Sequence, residues 1–156
     1  MILQSLNQGI KEAIKARNQI RLSTLRLLSS SLNYEKIAKQ HELNEQEEIT
    51  VVRREIKKRL EAIDFLKKAQ EKGSTSDPET LKKRLEQEET ELGILKEFLP
   101  SEMDDKELEK LVDEVLINLG AKSIKDMGRV IGEVIKKAKG SVEGRRVAEI
   151  VKSKLV

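Results

Sequence analysis

The sequence predicts an all-α protein, and three observations carry that prediction. Apolar residues recur at steps of three and four along nearly the whole chain, helix-capping patterns punctuate it, and only three of its 156 residues are aromatic (Tyr34, Phe65 and Phe98). Sheets lean on aromatic and β-branched residues, so a sandwich, a barrel or an aromatic β-sheet platform for RNA is excluded. Charged residues make up 38% of the chain, well above the usual quarter. That much charge needs surface, which a many-helixed or elongated protein supplies.

The elements follow in order. Leu3, Leu6, Ile10, Ala13 and Ile14 mark a first helix over 2–17, and Leu22, Leu25, Leu28 and Leu32 a second over about 19–39. Asn44 with Glu47 forms a capping box for a third, whose stripe Ile49, Val52, Ile56, Leu60, Ile63 and Leu66 continues to about Lys72. The GSTSD segment over 73–77 is a polar break. Asp77 as N-cap and Pro78 at N1 then open a fourth helix on Leu81, Leu85, Leu92, Leu95 and Leu99, which pairs with the third as an antiparallel hairpin. Leu99-Pro100-Ser101 stops it, and the domain boundary is placed there: an N-terminal helical domain with a long hairpin over 1–100, and a small three-helix domain over 101–156.

In the second domain Asp104 and Glu107 cap a helix on Leu108, Leu111, Val112, Val115, Leu116 and Leu119 that Gly120 ends. Ser123 is expected to cap a helix on Met127, Val130, Ile131, Val134 and Ile135 that stops at Gly140, and the last runs from about Val142 or Glu143 to Leu155. Charge is uneven along this layout: +5 over 1–40, −3 over 41–100, −5 over 101–119 and +6 over 120–156. Two basic regions flank an acidic middle.

Zero Cys and one His exclude disulfides, thiol catalysis and Cys/His zinc sites, and neither a metal nor a cofactor is expected. Nowhere do 18 consecutive apolar residues occur, and the first residues lack a basic stretch followed by an apolar run; a cytoplasmic protein with no membrane partner is the expectation.

Four stretches, KARNQIRLSTLRLL, EEI with REIKKR, KEFLPSEMDDKELEKLVDE and GAKSIKDMGRVIGEVIKKAKG, resemble the YqeY-like family in order and spacing over nearly the whole chain. The C-terminal part is in turn similar to the tail domain of the B subunit of glutamine-dependent tRNA amidotransferase, through Gly132, Val134, Ile135, Lys136, Gly140 and Val147. The resemblance implies a helical tail that helps hold tRNA. It also carries the family's label, carbon-nitrogen ligase with glutamine as amido donor, which is inherited from the large enzyme and has no visible catalytic basis here. One departure stands out: relatives commonly have a basic residue and Ala after the glycine at 140, where this chain has Ser141 and Val142.

The function expected is therefore a tRNA-associated binding module, its partner tRNA or another structured RNA. The residues expected to bind nucleic acid are Lys136, Lys137, Lys139, Gly140, Arg145 and Arg146, within a wider basic set that includes Lys122, Lys125 and Arg129. No aromatic residue follows Phe98, so binding must rest on phosphates and RNA shape. A secondary basic patch, Lys11, Lys15, Arg17, Arg21 and Arg26, is expected to form salt bridges to the acidic hairpin. The alternative function is a protein-interaction adaptor docking through the hairpin or the basic N-terminal helices, which an exposed apolar stripe would favour.

Four features read as structural or solvated. Gly128 and Gly132 share a helix face suited to close packing, and Gly140 with Gly144 shapes the last turn. Glu86, Glu88, Glu89 and Glu91 read as a solvated face, and His41 as a surface residue. No nucleophile lies beside a base in sequence, so no catalytic residue is assigned and intrinsic catalysis is not expected.

Overall fold

The computed structural model describes residues 2–73 and 77–155. Among them are seven α-helices, one 3₁₀ turn and no strand: α1 (Ile2–Lys15), α2 (Gln19–Lys39), α3 (Glu45–Glu71), α4 (Pro78–Lys96), α5 (Asp105–Leu119), the 3₁₀ turn (Ile124–Asp126), α6 (Met127–Lys137) and α7 (Gly144–Lys154). The chain divides into two compact units, Met1–Leu99 and Pro100–Val156. Most of the GSTSD break lies outside the described residues.

In the first unit the expected caps are in place. Asn44 accepts from the Glu47 amide while Glu47 accepts from the Asn44 amide, and Asp77 accepts from the Thr80 amide ahead of Pro78. At 27 residues α3 is about 40 Å long at 1.5 Å per residue, and it packs along α4 as the hairpin. The core joins Ile2, Leu6 and Ala13 of α1, Leu25, Leu28 and Leu32 of α2, Ile49, Val51, Val52 and Ile56 of α3, and Ile94 and Leu95 of α4. Helices α1 and α2 approach so closely at Gly9 that a Cβ there would meet Leu25 Cδ1 at 3.1 Å.

Two apolar residues expected inside are outside. Ile14 falls one step off the buried stripe of Leu6, Gly9 and Ala13, and it is exposed. Leu60 is exposed because the three-four stepping through Val52, Ile56, Ile63 and Leu66 passes through position 59, which is Arg59. The hairpin therefore takes a cation inward and answers it with carboxylates. Arg59 Nη1 lies 3.3 Å from Glu88, and its Nε lies 3.0 Å from the buried Glu91. The acidic run on α4 is thus not all solvated: Glu88 and Glu91 face the partner helix.

A second buried carboxylate has a different task. Glu48, on the first turn of α3, has no solvent exposure and accepts from the backbone amides of Ile2 at 2.7 Å and Leu3 at 3.4 Å. It caps the start of α1 from 46 residues away, satisfying amides that have no partner within their own helix.

In the second unit Asp104 and Glu107 form their capping box, and Gly120 ends α5 at φ 60°. Val112, Val115, Val130, Val134, Val147 and Val151, with Leu108 and Leu155, make the core among α5, α6 and α7. Ser123 does not cap an α-helix as expected. A 3₁₀ turn intervenes, Asp126 accepts from the Lys122 amide at 3.3 Å, and α6 starts only at Met127. Gly128 and Gly132 are also not close-packing residues: both are exposed, and a Cβ at either would have nothing within 4 Å. Val130 and Val134 on the opposite face do the packing.

Candidate nucleic-acid interface

The joint between α6 and α7 is built by backbone geometry. Helix α6 closes with the Ala138 amide bonded to Val134 and the Lys139 amide to Lys136. Then two successive residues take left-handed backbone, Lys139 at φ 47° and Gly140 at φ 84°. The glycine does this at no steric cost, whereas the lysine costs about 1 kcal/mol. The Ser141 carbonyl accepts from the Met103 amide at 2.8 Å, which pins the loop to the segment ahead of α5, and Val142 is buried in the core. Extended Glu143 leads into α7 without a side-chain cap, so the first turn of α7 presents backbone amides and positive potential beside Arg145 and Arg146.

The expected cations separate into two groups. Lys137 Nζ lies 2.6 Å from Glu114 of α5, and this hydrogen bond holds the Glu114 carboxyl below the usual range. Arg146 donates through Nε and Nη2 to Asp105, with Glu102 at 3.9 Å, and the hydrogen bond to Asp105 pushes its pKa up. These two cations neutralise the acidic helix α5, as Lys154 does at Asp113. Arg145 is exposed, with only Glu149 one turn on at 3.5 Å. Lys136 and Lys139 are exposed and make no ion pair with a described residue. Gly140 is buried, so its part is to shape the loop. Lys139 stands just before the turn and Arg145 just after it. Of the wider set, Lys122 and Lys125 are exposed, and Arg129 has Asp126 at 3.8 Å.

The secondary patch meets the expected pairing with the hairpin at Arg21 and departs from it at the other four residues. Arg21 makes a two-pronged pair with Glu97 at 2.9 and 2.7 Å, which raises its pKa and lowers that of Glu97. Lys11, Lys15, Arg17 and Arg26 are exposed and have no ion pair with a described residue. Acidic side chains of the hairpin are engaged within it instead, Glu55 by Lys58 at 2.7 Å and Glu88 and Glu91 by Arg59. Arg17 holds a left-handed backbone at φ 54° in the turn from α1 to α2, where the Asn18 side chain caps α2.

His41 is half-exposed, its Nε2 3.5 Å from Glu47 and its Nδ1 2.7 Å from the Glu42 carbonyl. Among the described residues no cluster of three or more His, Asp or Glu could hold a metal, and no helix is long and apolar enough to cross a membrane. Sequence reading missed Glu48 and Arg59, whose roles depend on elements distant in the chain. Arg59 had a signal, since its position lies on the apolar stripe.

The family described as Yqey-like protein matches residues 3–155, and the chain belongs to that family. No curated protein matches the sequence.

Proposed function

We propose that this YqeY-like chain is a binding module for structured RNA, most specifically tRNA, and that the joint of α6 and α7 is its phosphate-binding surface. The observation that carries the reading is the sorting of cations at that joint. Lys137 and Arg146 are consumed by α5, while Lys136, Lys139 and Arg145 stand exposed around two left-handed residues and an uncapped helix start. Lys139 keeps an exposed cation at a position where glycine would be cheaper, which supports a use for its charge. Amides at a helix start and flexible cations suit phosphate oxygens, not base edges, so the binding is positional and of low base specificity. Similarity to the amidotransferase tail supports tRNA as the RNA.

The test is tRNA binding by the full chain, followed by fluorescence anisotropy across salt concentrations. About three phosphate contacts give a log-log salt slope on the order of −3. Reversing Lys136, Lys139 and Arg145 together to Glu should weaken all tRNAs about equally and flatten that slope. The control, Lys67→Glu with Lys68→Glu in the hairpin, should matter little. Equal losses from the two variants reduce the effect to bulk charge, and undiminished binding by the triple variant eliminates the site.

A further inference from the structure

The face of α2 turned away from the core carries an apolar seam. Ile20, Leu27 and Tyr34 recur at seven-residue steps, each followed three residues on by Ser23, Ser30 and Ile37, the a and d positions of a coiled coil. Ile20, Leu27, Tyr34 and Ile37 are 37%, 53%, 75% and 71% exposed, in a chain with only nine exposed large hydrophobics among its described residues. Buried Leu25, Leu28 and Leu32 occupy the other side of the same helix. The exposed residues flanking the seam are Gln19, Arg26, Asn33 and Ala38, while Thr24 is buried and Ser31 half-buried against Glu55. Arg26 is the one charge among those four, in a chain that is 38% charged, so this face carries little charge to repel a copy of itself.

The surface relief is that of a helix waiting for another. A shallow depression is lined by Gln19, Leu22, Ser23, Arg26, Leu27 and Ser30, all from α2. These six residues make two overlapping four-residue holes, 19-22-23-26 and 23-26-27-30, the spacing that receives one knob each in knobs-into-holes packing. The seam is also self-complementary when reversed. In an antiparallel pair with Leu27 set opposite Ser30, Ser23 falls opposite Tyr34 and Ile20 opposite Ile37. Each large side chain in the centre meets a serine, and the ends meet as two isoleucines.

We propose that a second copy of this chain covers the seam, in an antiparallel α2–α2 homodimer with a twofold axis between Leu27 and Ser30. Tyr34 of each copy enters the hole formed by Gln19, Leu22, Ser23 and Arg26 of the other, where the guanidinium lies against the ring face. Such a contact is isologous, so it closes at two copies. A helix of 21 residues offers a seam about 30 Å long, and pairing covers about 600 Å² on each copy. The total of about 1,200 Å² is the lower bound for a specific interface, so the dimer is weak and its population depends on concentration.

Sedimentation equilibrium of the full chain, from about 5 to 500 μM, reads the association directly. The expected result is a monomer–dimer equilibrium that Leu27→Glu weakens at least tenfold, with helicity and melting unchanged because Leu27 is not part of the core. Register is read separately, since the chain has no cysteine of its own. The pair S23C with Y34C should cross-link between copies under mild oxidation, while either single variant should not. A chain that stays monomeric throughout, as it would if an RNA or another protein used this face, overturns the proposal. So does a dimer indifferent to Leu27→Glu, and so does S23C cross-linking alone, which would mean parallel helices.

Discussion

Glu48→Ala should cost the first unit far more than an acidic surface residue would. Loss of its two acceptor bonds leaves the buried Ile2 amide and the half-buried Leu3 amide with no acceptor, and each orphaned amide costs about 1–3 kcal/mol. The Ile2 bond at 2.7 Å sits at the upper part of that range, and the Leu3 bond at 3.4 Å at the bottom. Loss of a negative charge at the start of α1 adds about 0.3–1 kcal/mol, for a total near 4 kcal/mol. For a unit of this size that lowers Tm by about 16 °C or more. Glu48→Gln keeps one acceptor and should fall about halfway. Thermal and urea unfolding followed by circular dichroism measure the loss, and amide exchange should show α1 opening before α3. A Glu48→Ala variant within about 0.5 kcal/mol of the parent would mean that α1 is held by its apolar face alone, and the capping argument would be wrong.

Arg59→Ala leaves Glu91 buried without its cation and should destabilise the hairpin by about 2–3 kcal/mol, whereas Arg59→Met with Glu91→Leu should come within about 1 kcal/mol of the parent, as urea denaturation of both would show. Gly128→Ala and Gly132→Ala place a methyl in open space on a helix and should each stabilise the second unit by about 0.5–1 kcal/mol; a loss of Tm would reveal a contact there. Because Arg21 lowers the Glu97 pKa, their pair contributes fully above the ordinary glutamate value of about 4.3 and is lost as pH falls through the depressed one. The stability difference between the parent and Glu97→Gln should therefore stay level from pH 7 to about 5 and decline only as pH falls below the ordinary glutamate value; being largely exposed, it should not exceed about 1 kcal/mol. Lys139→Gly should raise Tm while weakening tRNA, a split between stability and binding that a purely structural lysine would not give.

The sequence by itself determined the all-α fold, the hairpin and most helix boundaries, because these rest on local physics. A three-four apolar repeat, an Asn44–Glu47 or Asp104–Glu107 box and Pro78 at N1 act within one or two turns, so their effect is legible where they stand. The candidate cations were legible only as residue types. Whether Lys137 or Lys139 is available depends on what α5 places beside it, and an ion pair such as Arg146 with Asp105 joins positions 41 residues apart. The same holds for buried charge. Nothing near Glu48 or Glu91 in the chain announces burial, because the cost of desolvating each carboxylate is offset by groups brought from other helices. The exposed seam of α2 was written in its heptad spacing, but only the packed structure decided which of the two apolar faces of that helix the core would take. The leucines at 25, 28 and 32 interdigitate with α1, α3 and α4, and that choice left Ile20, Leu27, Tyr34 and Ile37 facing out.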